Sequence, residues 1–320
     1  FETYPFEDPR CEGGYVIADN VCGHADGQGT YRYNLNTNRD LSSQLDRFNI
    51  YGYFNHEFDN GMEFYSELSY YKSETNTYRH PSYAFSSVKL RVSKDNYYNP
   101  FGPCGSPNRL PEEVIGPDVP CEGLEIEIDN YRYAELPRIV DNDGESYRIL
   151  AGLRGSFGTD WDWDSAILYN KSERNEVTHN RISNTLMQEA LSDPTPAAYN
   201  PWGAGVNTGG LERAVVDVRR DSEADLKLID FKVSNIGLFD MWAGPVGFLA
   251  GAEYREESFD DDRDPRLDGT INFVDWQGDT YPWVSDVMNS SPTADNSGSR
   301  DVTSLFTEFL IPLHSTLDLQ

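Results

Sequence analysis

Residues 47–72 read RFNIYGYFNHEFDNGMEFYSELSYYK, and this stretch decides the fold class. Apolar and polar side chains alternate along residues 48–55, and they alternate again after the turn signal Asp59-Asn60-Gly61. A period of two places the two sets of side chains on opposite faces of a β-strand, and Asn-Gly favours a tight reversal. The stretch therefore predicts an antiparallel hairpin with one apolar face.

Similar alternation recurs along the chain and predicts seven strands, at about 46–58, 62–72, 145–158, 161–173, 226–240, 245–259 and 301–313. An eighth strand is expected to begin near residue 317. Short turns join the paired strands, whereas residues 1–45, 73–144, 174–223 and 260–300 are expected to be long outer loops. Compact soluble domains rarely contain structureless loops of that length, but outer-membrane barrels combine short periplasmic turns with long extracellular loops.

We therefore expect an all-β fold in which residues 1–320 form part of one antiparallel transmembrane β-barrel domain. Aromatic residues near the predicted strand ends fit the girdles of such barrels. A soluble β-sandwich with tyrosine-rich strands is the alternative. Bacterial single-chain barrels have an even number of strands, so the last, truncated strand leads us to expect an interior piece of a longer polypeptide.

Composition excludes several classes of protein. The 320 residues carry 26 Lys and Arg against 54 Asp and Glu, which gives a formal net charge of −28. Nucleic acids and anionic lipid headgroups attract cationic surfaces, so neither is an expected partner. Aromatic residues make up 13% of the chain, which argues against acidic disorder. No apolar run approaches the roughly 20 residues of a membrane helix, so a helical membrane protein is excluded.

The four cysteines form two local pairs in loop-like stretches rich in Gly, Pro, Asn and Asp. Cys11 and Cys22 make up one pair, and Cys104 and Cys121 the other. An even count in loops favours two disulfides and an oxidising compartment. A metal site built from four thiolates is the alternative, but the Cys-x2-Cys spacing of zinc ribbons is missing.

Several segments resemble the barrel region of TonB-dependent outer-membrane receptors of Gram-negative bacteria. They include residues 47–58, Tyr98-Asn-Pro-Phe-Gly, Tyr147-Arg-Ile-Leu-Ala-Gly-Leu-Arg-Gly, Trp161-Asp-Trp-Asp-Ser-Ala, Ala198-Tyr-Asn-Pro-Trp-Gly, residues 244–257 and residues 301–313. The resemblance implies a bacterial outer-membrane barrel, in contact with lipid, that imports a scarce nutrient. It also implies energy from the TonB complex, acting through a region not in this chain. The plug and the C-terminal strands of the family have no match here.

Sites of chemistry are sparse in the sequence. His-Glu-x-x-His, Gly-x-Ser-x-Gly, P-loop and Cys-x-x-Cys motifs are absent, so we expect no enzyme and no cofactor. The five histidines lack metal-ligand spacing and are expected to be solvated. Aspartates at relative positions 1, 3, 5 and 9 of an acidic run imitate a calcium loop, but the Gly and Glu of that loop are missing. A solvated loop is the main interpretation, and a loose divalent-cation site is the weaker one, at Asp260, Asp262, Asp264 and Asp268.

Ligand recognition is expected to fall to aromatic residues in the loops, which stack on sugar rings or planar chelators. The candidates are Tyr97, Tyr98, Phe101, Tyr199, Trp202, Trp276, Tyr281 and Trp283. Packing between loops is the alternative for each. The acidic balance favours a neutral or cationic nutrient, such as an oligosaccharide or a peptide, over an anionic ferric chelate. A structural or adhesive barrel without transport, a ferric-chelate receptor of the same family and a secreted glycan-binding β-sandwich are the other functions considered.

Overall fold

The computed structural model describes residues 15–18, 21–23, 36, 39–84, 89–128, 131–202, 209–314 and 317–319. The strands in chain order are β1 (Tyr15–Ala18), β2 (Val21–Gly23), β3 (Gln44–Glu57), β4 (Glu63–Arg79), β5 (Leu90–Val92), β6 (Ile126–Ile128), β7 (Arg138–Phe157), β8 (Trp161–Ile182), β9 (Val215–Met241), β10 (Gly244–Arg263), β11 (Asn272–Val274), β12 (Thr280–Ser285), β13 (Asn296–His314) and β14 (Leu317–Leu319). The helices are α1 (Glu112–Ile115), α2 (Asn184–Ser192) and α3 (Gly209–Glu212).

Eight strands form one antiparallel sheet in the order β14-β13-β10-β9-β8-β7-β4-β3. Each long strand between β3 and β13 pairs with the long strand before it and the long strand after it, so the sheet is an up-and-down meander. Short turns close β3–β4, β7–β8 and β9–β10 at one end, and connections of tens of residues leave the other end. The prediction of a mainly antiparallel all-β fold is confirmed.

The long strands extend beyond their predicted ends. At the short turns the difference is one or two residues at most, so nearly all of the additional length lies at the end with the long connections. β4 continues to Arg79 and β7 starts at Arg138, so the expected loop 73–144 is too long. Loops 174–223 and 260–300 shorten in the same way, and 1–45 gives up its last two residues to β3. Most residues of these extensions are polar, and apolar neighbours such as Ile139-Val140 and Val215-Val216 do not alternate with polar residues, so the pattern that marks a strand is missing there.

Polar contacts between neighbouring strands support the extensions. Asn76 donates to Asp141 at 2.6 Å, between β4 and β7. The ammonium of Lys171 on β8 lies 2.9 Å from the carboxylate of Glu223 on β9. Such cross-strand pairs stabilise a sheet without burying apolar surface.

Register divides the sheet into an apolar face and a polar face. Ile167 pairs with Ala151 and Ile229, which places the three on one face. The neighbouring residue Leu168 pairs with Leu150 on the other. The apolar face carries exposed large side chains from every long strand: Phe48, Ile50, Phe54, Leu68, Ile149, Leu153, Ile167, Ile229, Phe231, Tyr254 and Leu305. No second layer of described residues covers either face.

The buried core lies in the long connections. It gathers side chains from α2, α3, β5, β6, β11 and the segments around them, including Met187, Leu191, Tyr199, Phe273 and Met288. We call this unit the loop core. α2 supplies much of it, and Ser183 caps the helix by accepting a hydrogen bond from the Leu186 amide at 3.2 Å. Within the expected loop 174–223, residues 181–192, which end before Pro194, predict a short helix. Residues 181–182 belong to β8 instead, and the helix begins at Asn184.

Candidate functional site

Aromatic side chains border the apolar face at both ends. Near the short turns, Phe157, Trp161, Phe248 and Phe309 form a row with ring centroids 5.2–6.2 Å apart. Towards the long connections, Phe48 packs on Tyr70 and Tyr147 on Tyr169. Tyr147 and Phe157 are ten residues apart on β7. That separation is about 34 Å along an antiparallel strand, or about 24 Å across a sheet tilted by 45°.

The polar face carries a network of ion pairs and hydrogen bonds. Arg154 donates to both carboxylate oxygens of Glu63, at 2.7 and 2.8 Å. The hydroxyl of Tyr65 donates to Asp164 at 3.0 Å. These residues line or adjoin a groove of about 450 Å3 near the short turns. Two further cavities, of about 560 and 320 Å3, lie on the same face nearer the long connections.

Charge is segregated between the faces in the half of the sheet nearer the long connections. In this half of the sheet, the face that carries the apolar band is strongly acidic. It has few cationic residues, and most of them are lysines. Its acidic residues include Asp46, Glu74, Asp141, Asp143, Glu145, Glu173, Asp217, Asp221, Glu223, Asp225, Asp260 and Asp262. The polar face at the same level has fewer carboxylates, among them Glu176, Glu257 and Asp261, and more arginines: Arg47, Arg148, Arg174, Arg220, Arg263 and Arg300.

The disulfide Cys104–Cys121 closes the connection between β5 and β6 of the loop core, with the two Cα atoms 4.9 Å apart. Arg109 donates to the carbonyl oxygens of Val119 and Pro120 inside the same loop. The disulfide prediction is confirmed for this pair. Cys11 of the other predicted pair lies outside the described residues, so Cys11–Cys22 stays a prediction.

Two of the predicted ligand-binding aromatics are interior residues of the loop core. Tyr199 is 1% exposed and Trp202 is 5% exposed. The Tyr199 hydroxyl donates to Glu135 at 2.7 Å and lies 2.9 Å from the Tyr131 hydroxyl. Burial raises the pKa of Tyr199 well above its ordinary value. Both side chains pack in this conformation and are out of reach of a ligand at the surface.

Tyr97, Tyr98 and Phe101 lie together after β5, each half-buried. The rings of Tyr97 and Tyr98 meet edge to face with centroids 4.9 Å apart. The Tyr98 hydroxyl donates to the Pro196 carbonyl at 2.9 Å, which ties this segment to the chain that follows α2. Part of each ring remains accessible at the surface of the loop core.

The three remaining aromatics surround the β11–β12 hairpin. Tyr281 and Trp283 meet edge to face at 5.8 Å, and Trp283 is 60% exposed. The guanidinium of Arg91 lies 3.7 Å from the ring centroid of Trp276. Asp275 accepts from the Tyr281 hydroxyl at 2.8 Å and from two turn amides, so the hairpin is held rigidly.

Electrostatics at this hairpin follow from those bonds. The hydrogen bond to Asp275 raises the pKa of Tyr281 to about 12. Burial pushes the pKa of Asp275 upward, but the hydrogen bonds from Tyr281, Asp279 and Gln277 outweigh it and hold this pKa below its usual value.

The four aspartates of the calcium-like run do not converge. Asp260 and Asp262 lie on the regular strand β10, whereas Asp264 and Asp268 accept amide bonds in the turn that follows it. Among the described residues, no three His, Cys, Asp or Glu side chains are placed to hold a metal ion. An extended strand spreads these side chains apart, where a calcium loop would gather them.

His179 belongs to a cluster with two carboxylates that the sequence does not reveal. It was expected in a solvated loop, but it lies on β8 between two carboxylates of neighbouring strands. Its ring nitrogens lie 2.8 Å from Asp217 and 3.1 Å from Asp141. Only the strand register brings these three residues together, because no local motif links them.

No model of a known protein family matches the chain, and no curated protein matches its sequence. In the part of the chain that the structure describes, no helix is long and apolar enough to span a membrane.

Proposed function

We propose that this chain contributes strands and outer loops to an outer-membrane β-barrel receptor that takes up a scarce nutrient. The sheet would contact lipid with its apolar face and line the barrel interior with its polar face. The long connections would lie outside the cell. Uptake would be energised by the TonB complex through another part of the receptor.

One observation carries the membrane part of the proposal: an aromatic row near the short turns and the aromatic pairs Phe48–Tyr70 and Tyr147–Tyr169 border the apolar face, ten residues apart on β7. If the strands have the 45° tilt of membrane strands, ten residues correspond to about 24 Å along the membrane normal. The apolar band of outer-membrane barrels is about 25 Å tall and lies between two aromatic girdles. A soluble β-sandwich would instead bury one face against a second sheet. In this chain, no described element covers the exposed band.

The receptor part rests on the loop core and on the polar face. A disulfide closes the β5–β6 connection of the loop core, which presents the exposed Trp283, and the polar face contains open cavities near the long connections. A purely structural barrel would need neither. The resemblance of residues 47–58 and 244–257 to TonB-dependent receptors supports import as the purpose.

Lipid contact is tested with two adjacent positions. Ile167→Cys and Leu168→Cys, each labelled with an environment-sensitive dye, place the probe on opposite faces of β8. The dye is read in the whole receptor, reconstituted in vesicles that contain brominated phospholipids. Cys104 and Cys121 do not react, because they are disulfide-bonded.

We expect bromine to quench the dye at residue 167 strongly and the dye at residue 168 weakly. Equal quenching at both positions, or none at 167, would contradict a lipid-facing band. The import claim is tested separately in cells that lack the TonB complex, which should lose concentrative uptake but keep the barrel in the outer membrane.

A further inference from the structure

A trough crosses the polar face just below the loop core. The cavities of about 560 and 320 Å3 adjoin there and share Ala224 and Phe259. Small residues form the floor of the trough: Ser172, Ser222, Ala224 and Gly298. They come from β8, β9 and β13, and β10 contributes Phe259. Four neighbouring strands span about 14 Å, so the trough is long enough for an extended ligand.

Arginines border this trough. Arg174, Arg220 and Arg300 line it, with side chains 56%, 41% and 67% exposed. Each is held by acceptors on the same face: Asn142 and Glu176 accept from Arg174 at 2.7 and 3.2 Å, and Asp261 accepts from Arg220 at 2.7 and 3.0 Å. Glu257 accepts from Nε of Arg300. A guanidinium has five N–H donors, so these contacts fix the side chains and leave donors for a ligand.

An aromatic ring completes the trough. Phe259 is 47% exposed although it lies on the polar face. Its ring passes close to Gly298, where an added Cβ would lie 2.9 Å from it. The glycine therefore leaves room for the ring beside the arginines. An exposed ring next to fixed cations and serine hydroxyls suits a ligand with both an apolar surface and anionic groups.

We infer that this trough binds a nutrient that carries carboxylate groups. The inference rests on the proposed function and specifies its ligand class. The net charge of −28 does not oppose it, because in this half of the sheet the acidic residues lie mainly on the other face. Bidentate contact between a guanidinium and a carboxylate gives both affinity and orientation. Two sources of this chemistry fit: a uronic-acid oligosaccharide and a ferric polycarboxylate chelate.

The test measures binding to the whole purified receptor by titration calorimetry. The probes are trigalacturonate, ferric citrate and neutral maltotriose. The double variant Arg174→Gln/Arg300→Gln removes two border cations. Arg154→Gln is the matched control, because Arg154 is a similarly exposed arginine on the same face near the short turns. Thermal unfolding of each variant checks that the receptor remains folded.

We expect one of the two anionic probes to bind at least tenfold more tightly than maltotriose. The double variant should weaken that binding at least tenfold, and Arg154→Gln should change it less than twofold. Binding of trigalacturonate identifies the saccharide source, and binding of ferric citrate the chelate.

Preference for maltotriose, failure of both anions to bind, or equal loss in Arg154→Gln would overturn the inference. None of these results affects the lipid-quenching test. A receptor whose residue 167 is quenched but which binds no anion would keep the proposed function and lose only this ligand class.

Discussion

Glycine at position 152 fits the flat packing of a tyrosine ring across two strands. Gly152 pairs with Tyr65, and a Cβ added at 152 would clash with Cζ of the Tyr65 ring. The ring can therefore lie over the neighbouring strand while its hydroxyl bonds to Asp164. Covering a strand glycine with an aromatic ring is a device that pins strand register.

Gly152→Ala should destabilise the protein by about 1–3 kcal/mol, because Tyr65 must move and lose its bond to Asp164. Gly52→Ala is the control, since an added Cβ at Gly52 meets no atom within 4 Å. That substitution should be neutral or stabilise by up to about 1 kcal/mol. The measurement is the midpoint of thermal unfolding of Gly152→Ala and of Gly52→Ala. Equal midpoints for the two variants would refute the packing argument.

Asp275 makes the β11–β12 hairpin sensitive to acid. Its pKa is lowered in the fold, so its stabilisation is complete above the ordinary value near 4 and is lost as pH falls through the folded value. Asp275→Asn should therefore reduce amide protection in residues 272–285 at pH 7. The difference from the parent protein should narrow at pH 3. Hydrogen exchange read by mass spectrometry measures both.

The control for this prediction is Asp279→Asn, since the Asp279 carboxylate makes none of the three bonds to Asp275. Its protection should match that of the parent at both pH values. A difference between Asp275→Asn and the parent that stays constant with pH would show that the charge of Asp275 is unimportant.

At the scale of elements, alternation of apolar and polar residues was enough to locate the long strands but not to end them. The predicted segment 62–72 lies inside β4, which continues to Arg79 through residues that are polar on both faces. The short strands β5, β6, β11 and β12 have three to six residues and no pattern of their own. They form because the loop core brings them together, and a local reading of sequence contains no such information.

The loop core also separates packing residues from surface residues among the aromatic candidates. Trp202→Ala should cost about 3–5 kcal/mol, because it removes a buried indole, whereas Trp283→Ala should change stability by less than about 0.5 kcal/mol. Hydrogen exchange of α2, whose buried residues belong to the same core, reports the loss. Equal protection of α2 in both variants would contradict the assignment of Trp202 to this core.

At the scale of the whole molecule, the net charge does not show where the charges lie, so the expectation of a neutral or cationic nutrient stays a prediction beside the carboxylate-bearing ligand proposed above. The sequence gives the total of −28, but the register decides which face each charge occupies. Residues 173 and 174 are neighbours in sequence, yet Glu173 lies on the apolar face and Arg174 on the polar one. Phe259 was not among the aromatic candidates, because its place in the proposed trough depends on residues from neighbouring strands.

The meander predicts sidedness for the whole receptor in cells. Glu113→Cys places a thiol in a long connection, and Asp59→Cys places one in the β3–β4 turn; both positions are exposed. A membrane-impermeant maleimide should label residue 113 in intact cells and residue 59 only after the outer membrane is permeabilised. Labelling of residue 59 alone in intact cells would invert the proposed orientation, and labelling of both would exclude a barrel that separates the two sides.

Pairing in strict sequence order also has a consequence for ancestry. Because every long strand contacts only its neighbours along the chain, a hairpin such as β7–β8 could be duplicated or deleted without rethreading the rest. The sheet would gain or lose two strands, and the remaining strands would keep their apolar and polar side chains on the same faces as before. The long connections could change in sequence independently of the sheet. Related chains are therefore expected to share their hairpins and to differ in their long connections.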